Sequence, residues 1–121
     1  MKSIMIYDEA SDSLLLRKSG AKVAECLNDG NDVGILELDK KKNIVGLELL
    51  DIHKTFSIPI KVLKNIKRSI VNIRYEKAKK IVFMGIILIY EKEKERFMVP
   101  IMADLGKSAF ACRNFMTSAS C

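Results

Sequence analysis

The sequence predicts an α+β fold: an antiparallel β-meander, one linking helix and a second β-hairpin unit, within a single domain spanning residues 1–121. Three observations predict it. Residues 33–50 hold two apolar runs around Lys40-Lys41-Lys42-Asn43; Leu36 and Leu38 alternate with Glu37 and Asp39, while Val45, Leu47 and Leu49 alternate with Gly46 and Glu48. That pattern is a hairpin whose strands each have one apolar face. After Ser57-Ile58-Pro59, the residues Ile60, Leu63, Ile66 and Ile70 recur at helical spacing. Residues 81–90 are apolar at nearly every position, as a strand buried on both faces would be.

Taken in order, residues 4–7 form a short apolar strand, and residues 8–13 are Asp, Glu, Ala and Ser types that favour turns and local side-chain-to-backbone hydrogen bonds. Leu14-Leu15-Leu16 resumes the extended run and completes a first hairpin. Ser19-Gly20 marks a turn, residues 22–27 are a weaker strand, and Asn28-Asp29-Gly30-Asn31-Asp32 ends it before the hairpin of residues 33–50. A basic linking segment, residues 54–69, contains a helix over residues 59–68. An extended reading competes there, since Ile58, Ile60 and Val62 also alternate. The second β unit, residues 70–102, divides into a strand from 71 to 75, a turn at 76–79, the strand 81–90, a charged turn at 91–95 and a strand from 97 to 102. Pro100 cannot donate to a ladder and places the last of these at an edge or a strand end. In the tail, residues 103–121, Leu105, Ala109, Cys112 and Met116 have the spacing of a short helix, with fraying from residue 117.

Composition bounds the class. Apolar residues are 49% and charged residues 30% of the chain, which excludes the low-hydrophobicity signature of disorder. The net charge of +6 is uneven: residues 1–53 carry seven basic against ten acidic side chains, and residues 54–121 carry fourteen against five. Such halves attract one another or display a basic surface. The three cysteines, Cys26, Cys112 and Cys121, form no CxxC pair, so a disulfide scaffold is not expected. The start of the chain lacks the apolar region of a signal peptide, and the longest apolar run is ten residues, half of a membrane helix. A cytoplasmic setting with no membrane partner is the expectation. Apolar residues lie on both strand faces in the first half, as Ile35, Ile44 and Leu50 show beside Leu36, Val45 and Leu47. Both faces need covering, and a homodimer is one way to do it.

Tyr7-Asp8-Glu9-Ala10-Ser11-Asp12-Ser13-Leu14, Val23-Ala24-Glu25, Gly34-Ile35-Leu36-Glu37-Leu38-Asp39 and Asn43-Ile44-Val45-Gly46-Leu47-Glu48-Leu49-Leu50-Asp51 together resemble the small prokaryotic domain-of-unknown-function family number 2283, over residues 4–53. The resemblance implies a β-rich fold and supplies no activity. Its motif residues Tyr7, Asp8, Asp12, Asp39, Gly46 and Glu48 read as structural. Two positions depart from the family pattern: Ser11 stands where Ala is usual and Lys42 where the hairpin loop has Gly, so a positive φ there would strain Lys42. Residues 75–78 and 82–84 echo residues 7–10 and 14–16 at one offset. This is either a degenerate second copy at residues 70–102 or the ordinary likeness of two hairpins.

Candidate chemistry is sparse. Residues 54–80 hold nine basic side chains against Glu76 alone, and on a helix Lys61, Lys64 and Arg68, with Lys67 beside them, could meet phosphates or a partner. No aromatic platform accompanies them. Asp8, Glu9 and Asp12 fit no calcium loop and read better as turn residues. His53 is the only histidine and has no placeable nucleophile or second metal ligand. Gly106-Lys107-Ser108 fails as a phosphate loop because Ile101 stands where Gly is required. No cofactor or metal is expected. The function expected is a non-catalytic binding or interaction module, with a protein partner; an antitoxin-like partner of a small toxin is one version, and nucleic-acid binding through residues 54–80 is the alternative.

Overall fold

The computed structural model describes residues 3–28, 33–76, 78–102 and 115–118, the last four by their backbone. Among these residues nine strands and two short helices follow one another: β1 (Ile4–Asp8), β2 (Ser13–Arg17), β3 (Glu25–Asn28), β4 (Gly34–Leu38), β5 (Ile44–Leu49), α1 (Ile52–Phe56), α2 (Ile60–Leu63), β6 (Arg68–Glu76), β7 (Ile81–Tyr90), β8 (Glu93–Met102) and β9 (Phe115–Ser118). The α+β class and the antiparallel pairing are as the sequence predicts. The strands form two sheets, ordered β1-β2-β5-β4-β3 and β8-β7-β6-β9. In the first, β5 inserts between β2 and β4 and carries a ladder to each.

Alternation decides which side chains meet between the sheets. Leu14, Leu16, Leu36, Leu38, Ile44, Leu47 and Leu49 point inward from the first sheet; Val71, Val82, Met84, Ile86, Leu88, Val99 and Ile101 do so from the second, and all belong to one buried cluster. Each such side chain contributes about 1.5–3 kcal/mol through its removal from water. Gly34 sits where the sheets come close: a Cβ there would lie 3.3 Å from Ile101 Cδ1 and 3.4 Å from Leu47 Cδ1. Ile52, Ile58, Leu63 and Ile66, all buried, close one end of the core. Phe56 of α1 rests on Phe97 of β8 with ring centroids 4.6 Å apart.

Four assignments of secondary structure need correction. The linking helix of residues 59–68 is only Ile60–Leu63, preceded by a helix at Ile52–Phe56 that periodicity did not indicate. Asn65 Nδ2 donates to the Lys61 carbonyl at 2.6 Å and ends the second helix, and Lys67 N–H already donates to Ile89 O at 2.7 Å. The β6–β7 ladder, which starts at Arg68 opposite Ile89, takes the chain before a third helical turn can form. The charged turn shrinks to Glu91 and Lys92, because Glu93–Phe97 lie on the edge strand β8, where charged side chains can face water. The weaker strand of residues 22–27 is Glu25–Asn28. In the tail, Phe115–Ser118 pairs with β6 as a strand, which replaces helix and fraying there; the rest of the tail lies outside the described residues.

Pro100 does lie on an edge strand, and β7 is central in its sheet, between β6 and β8. Yet β7 is not buried on both faces. Val82, Met84, Ile86 and Leu88 are buried, whereas Ile81, Phe83, Gly85, Ile87 and Ile89 on the other face are half-buried.

Candidate functional site

Register lines up the open face of the second sheet row by row. Across β6, β7 and β8 the rows are Arg68, Ile89, Lys94; Ile70, Ile87, Arg96; Asn72, Gly85, Met98; Arg74, Phe83, Pro100; and Glu76, Ile81, Met102. An aliphatic strip on β7 thus runs between two charged flanks. Met98 and Met102 are each 55% exposed. Arg68, Arg74, Lys94 and Arg96 are exposed, and among the described residues none of them is ion-paired. Arg74 instead lies over the Phe83 ring, its Cζ 4.9 Å from the centroid. Three cations therefore gather at the Ile87–Ile89 end, facing a single acid, Glu76, at the other.

The sequence-predicted basic patch is divided by this architecture. Lys61 and Lys64 stay with α2, and Lys64 Nζ pairs with Glu9 Oε1 at 3.1 Å, tying the basic half to the acidic one. Lys67 is exposed between helix and strand, and Arg68 opens β6 on the outer face. Lys61, Lys64 and Arg68 do not share a helix face, since the helix is four residues long. Lys94, Arg96 and the two methionines were missed in sequence. Their signal was the alternation of Lys94, Arg96, Met98, Pro100 and Met102 with Glu95, Phe97, Val99 and Ile101, which runs through the segment first read as a turn.

The motif residues of the first sheet form two other clusters. Asp12, at φ 52°, turns the first hairpin and aims its carboxylate at the start of α1. Its Oδ1 accepts from the Tyr7 hydroxyl at 2.9 Å and from His53 N–H at 3.1 Å, and its Oδ2 from Lys54 N–H at 3.4 Å; Ile52 N–H donates to the Asp12 carbonyl. Asp51, the residue before the helix, makes no side-chain cap, so Asp12 caps α1 from the hairpin. Burial opposes the Asp12 charge, but the donated bonds from His53, Tyr7 and Lys54 outweigh it and hold the carboxyl below its usual range. Burial and the bond to Asp12 push the Tyr7 phenol up to about 12. His53 Nδ1–H donates to the Ile58 carbonyl at 2.7 Å, which fixes the loop between the helices.

The second cluster crosses three strands. Arg17 on β2 and Glu37 on β4 both sit opposite Gly46 on β5, and their side chains meet over it. The guanidinium donates through Nε to Oε1 at 2.8 Å and through Nη2 to Oε2 at 2.7 Å. A Cβ on Gly46 would overlap Glu37 Oε1 and lie 3.0 Å from its Cδ. Glu48 lies one row along, between Leu15 and Ile35. Asp39 folds the β4–β5 loop, its Oδ1 accepting from Lys41 and Asn43 N–H at 2.9 Å, and the Asn43 side-chain amide donating to Oδ2 holds its carboxyl low. Asp8 accepts from Ala10 N–H at 3.0 Å in the first turn. Lys42 has φ 67°, the positive value that its Gly-type position implies, and its ammonium pairs with Glu25. Among the described residues no three His, Cys, Asp or Glu side chains are placed to hold a metal ion.

A two-sheet antiparallel domain with two structural carboxylate clusters and an apolar, cation-flanked outer face on its second sheet is the class these features define. Within it, residues 4–52, the first sheet and the first residue of α1, match the family model described as a protein of unknown function, DUF2283. That is the family whose resemblance residues 4–53 carry; the match does not show a second copy at residues 70–102, whose strands are joined in simple chain order. No curated protein and no solved structure matches the chain. Among the described residues, no helix is long and apolar enough to cross a membrane.

Proposed function

We propose that this domain is a non-catalytic binding module and that the open face of β6, β7 and β8 is its binding surface. The observation that carries the reading is the pairing, on one face, of a half-buried aliphatic strip with cations that have no carboxylate partner among the described residues. A sheet face that only met water would place polar residues at the centre of β7. The first sheet serves as the support that buries the other face of the second. A homodimer built on this face would bring together two surfaces that each carry four cations against one acid, so we place any self-association elsewhere on the surface.

The test compares charge insertions on the two sheets. Met98→Glu with Met102→Glu changes exposed positions of the open face; Ile6→Glu changes an equally exposed position, 56% accessible, on the first sheet. All should melt as the unaltered protein does. Proteins co-purifying from the native host should be retained by Ile6→Glu and lost with the methionine pair. The same partners in all three samples would refute the reading.

A further inference from the structure

We propose that the open face takes an acidic, aliphatic-rich protein segment, with carboxylates on Arg68, Lys94 and Arg96 and aliphatic side chains along Ile81, Ile87 and Ile89. The inference rests on the reading of this face as the binding surface and adds the chemistry of its occupant. Charge fixes the sign: four exposed cations face Glu76 alone, so an anionic partner is steered in and a second copy of this chain is repelled. The centre of the face separates protein from nucleic acid. Its contacts are aliphatic, and its single ring, Phe83, is already covered by Arg74, so successive bases would find no stacking platform. Dimensions argue for a segment rather than a globular surface. Three strands of about ten residues offer on the order of 450 Å², against roughly 800 Å² per partner in a standard interface between folded proteins.

Gly85 supports the same conclusion independently. It lies mid-strand on the central strand of the face, its backbone is extended, and a Cβ built there would touch nothing closer than Asn72 Cβ and Met98 Cε at 3.8 Å. The fold therefore does not require glycine at a position where glycine weakens a strand, and the ladders on either side run through it without a bulge, which leaves close approach by a ligand or another backbone as the reason for it. Between Asn72 and Met98 the missing side chain leaves a notch in the strip.

Three synthetic peptides of equal length test this, alternating Leu with Glu, Leu with Gln and Leu with Lys, together with a single-stranded oligothymidine. Fluorescence anisotropy gives affinity, and backbone amide shifts give location. The Leu/Glu peptide is expected to shift the amides of β6, β7 and β8, and to weaken as salt is raised. Replacing Arg68, Lys94 and Arg96 together by Ser should lower its affinity about tenfold or more. Gly85→Val should keep the melting temperature while weakening binding by a similar factor. Equal binding of the Leu/Gln peptide at the face would overturn the acidic preference and leave the binding surface intact. Tighter binding of the oligonucleotide through the same cations would replace the protein partner with nucleic acid. Absence of every probe from the face would overturn both this inference and the reading beneath it.

Discussion

Gly46 is a residue chosen for what passes over it. The Arg17–Glu37 fork spans β5 at that point, and Glu37 is only 5% exposed. Gly46→Ala would expel the carboxylate and leave Arg17 without its partner. Breaking a fully buried pair costs about 3–5 kcal/mol, and because Arg17 keeps a quarter of its side chain in water the expected loss is nearer about 2–3 kcal/mol. Chemical denaturation would measure it. Gly34→Ala should be milder, since the obstacle there is the flexible end of Ile101. Lys42 gives the opposite sign. Its positive φ is unfavourable for any side chain, and its ion pair with Glu25 is exposed on both sides. Lys42→Gly is therefore expected to stabilise the protein by about 0.5 kcal/mol after the entropy of the unfolded glycine is counted; a measured loss would mean that the pair outweighs the strain.

At the level of elements, α1 depends on a cap from outside itself. The Asp12 carboxyl is held below the usual carboxylate range in the folded chain by the groups that donate to it, so its contribution is complete above the range of an unfolded aspartate and is lost as pH falls through the lowered folded value. Asp12→Asn should therefore lower stability at neutral pH, by about 1 kcal/mol as helix caps do, and the gap from the unaltered protein should close in acid. Thermal melts from pH 7 to pH 2 would show whether the two curves converge. Elements with a strict two-residue period were legible from sequence: β1, β2, β4, β5 and β7 fall where alternation or an apolar run places them. α1 was not, because its stabilising group lies some forty residues upstream in Asp12. The helix of residues 59–68 was overestimated because Ile66 and Ile70 satisfy both periods and the ladder with β7 decided between them. The open face escaped notice for the same reason, since Arg68 and Arg74 become neighbours of Ile89 and Phe83 only once strand register is known.

For the whole molecule, the decisive fact is that the two sheets share one core. The family-like unit has an apolar face of leucines, and here residues 68–102 cover it within the same chain. A fragment ending at residue 57 would leave Leu14, Leu16, Leu36, Leu47 and Leu49 facing water, and it is expected to show no cooperative unfolding transition by circular dichroism, whereas the full chain unfolds in one step. A fragment that melts cooperatively as a monomer would show that the second sheet is dispensable to the first. The cap on α1 also has a bearing on synthesis. Because the carboxylate that seals α1 is delivered by the tip of the first hairpin, the passage between the sheets is fastened only after that hairpin has closed. A growing chain can thus seat α1 on its first hairpin early, while its leucine-lined face stays open until residues 68–102 have left the ribosome and closed over it.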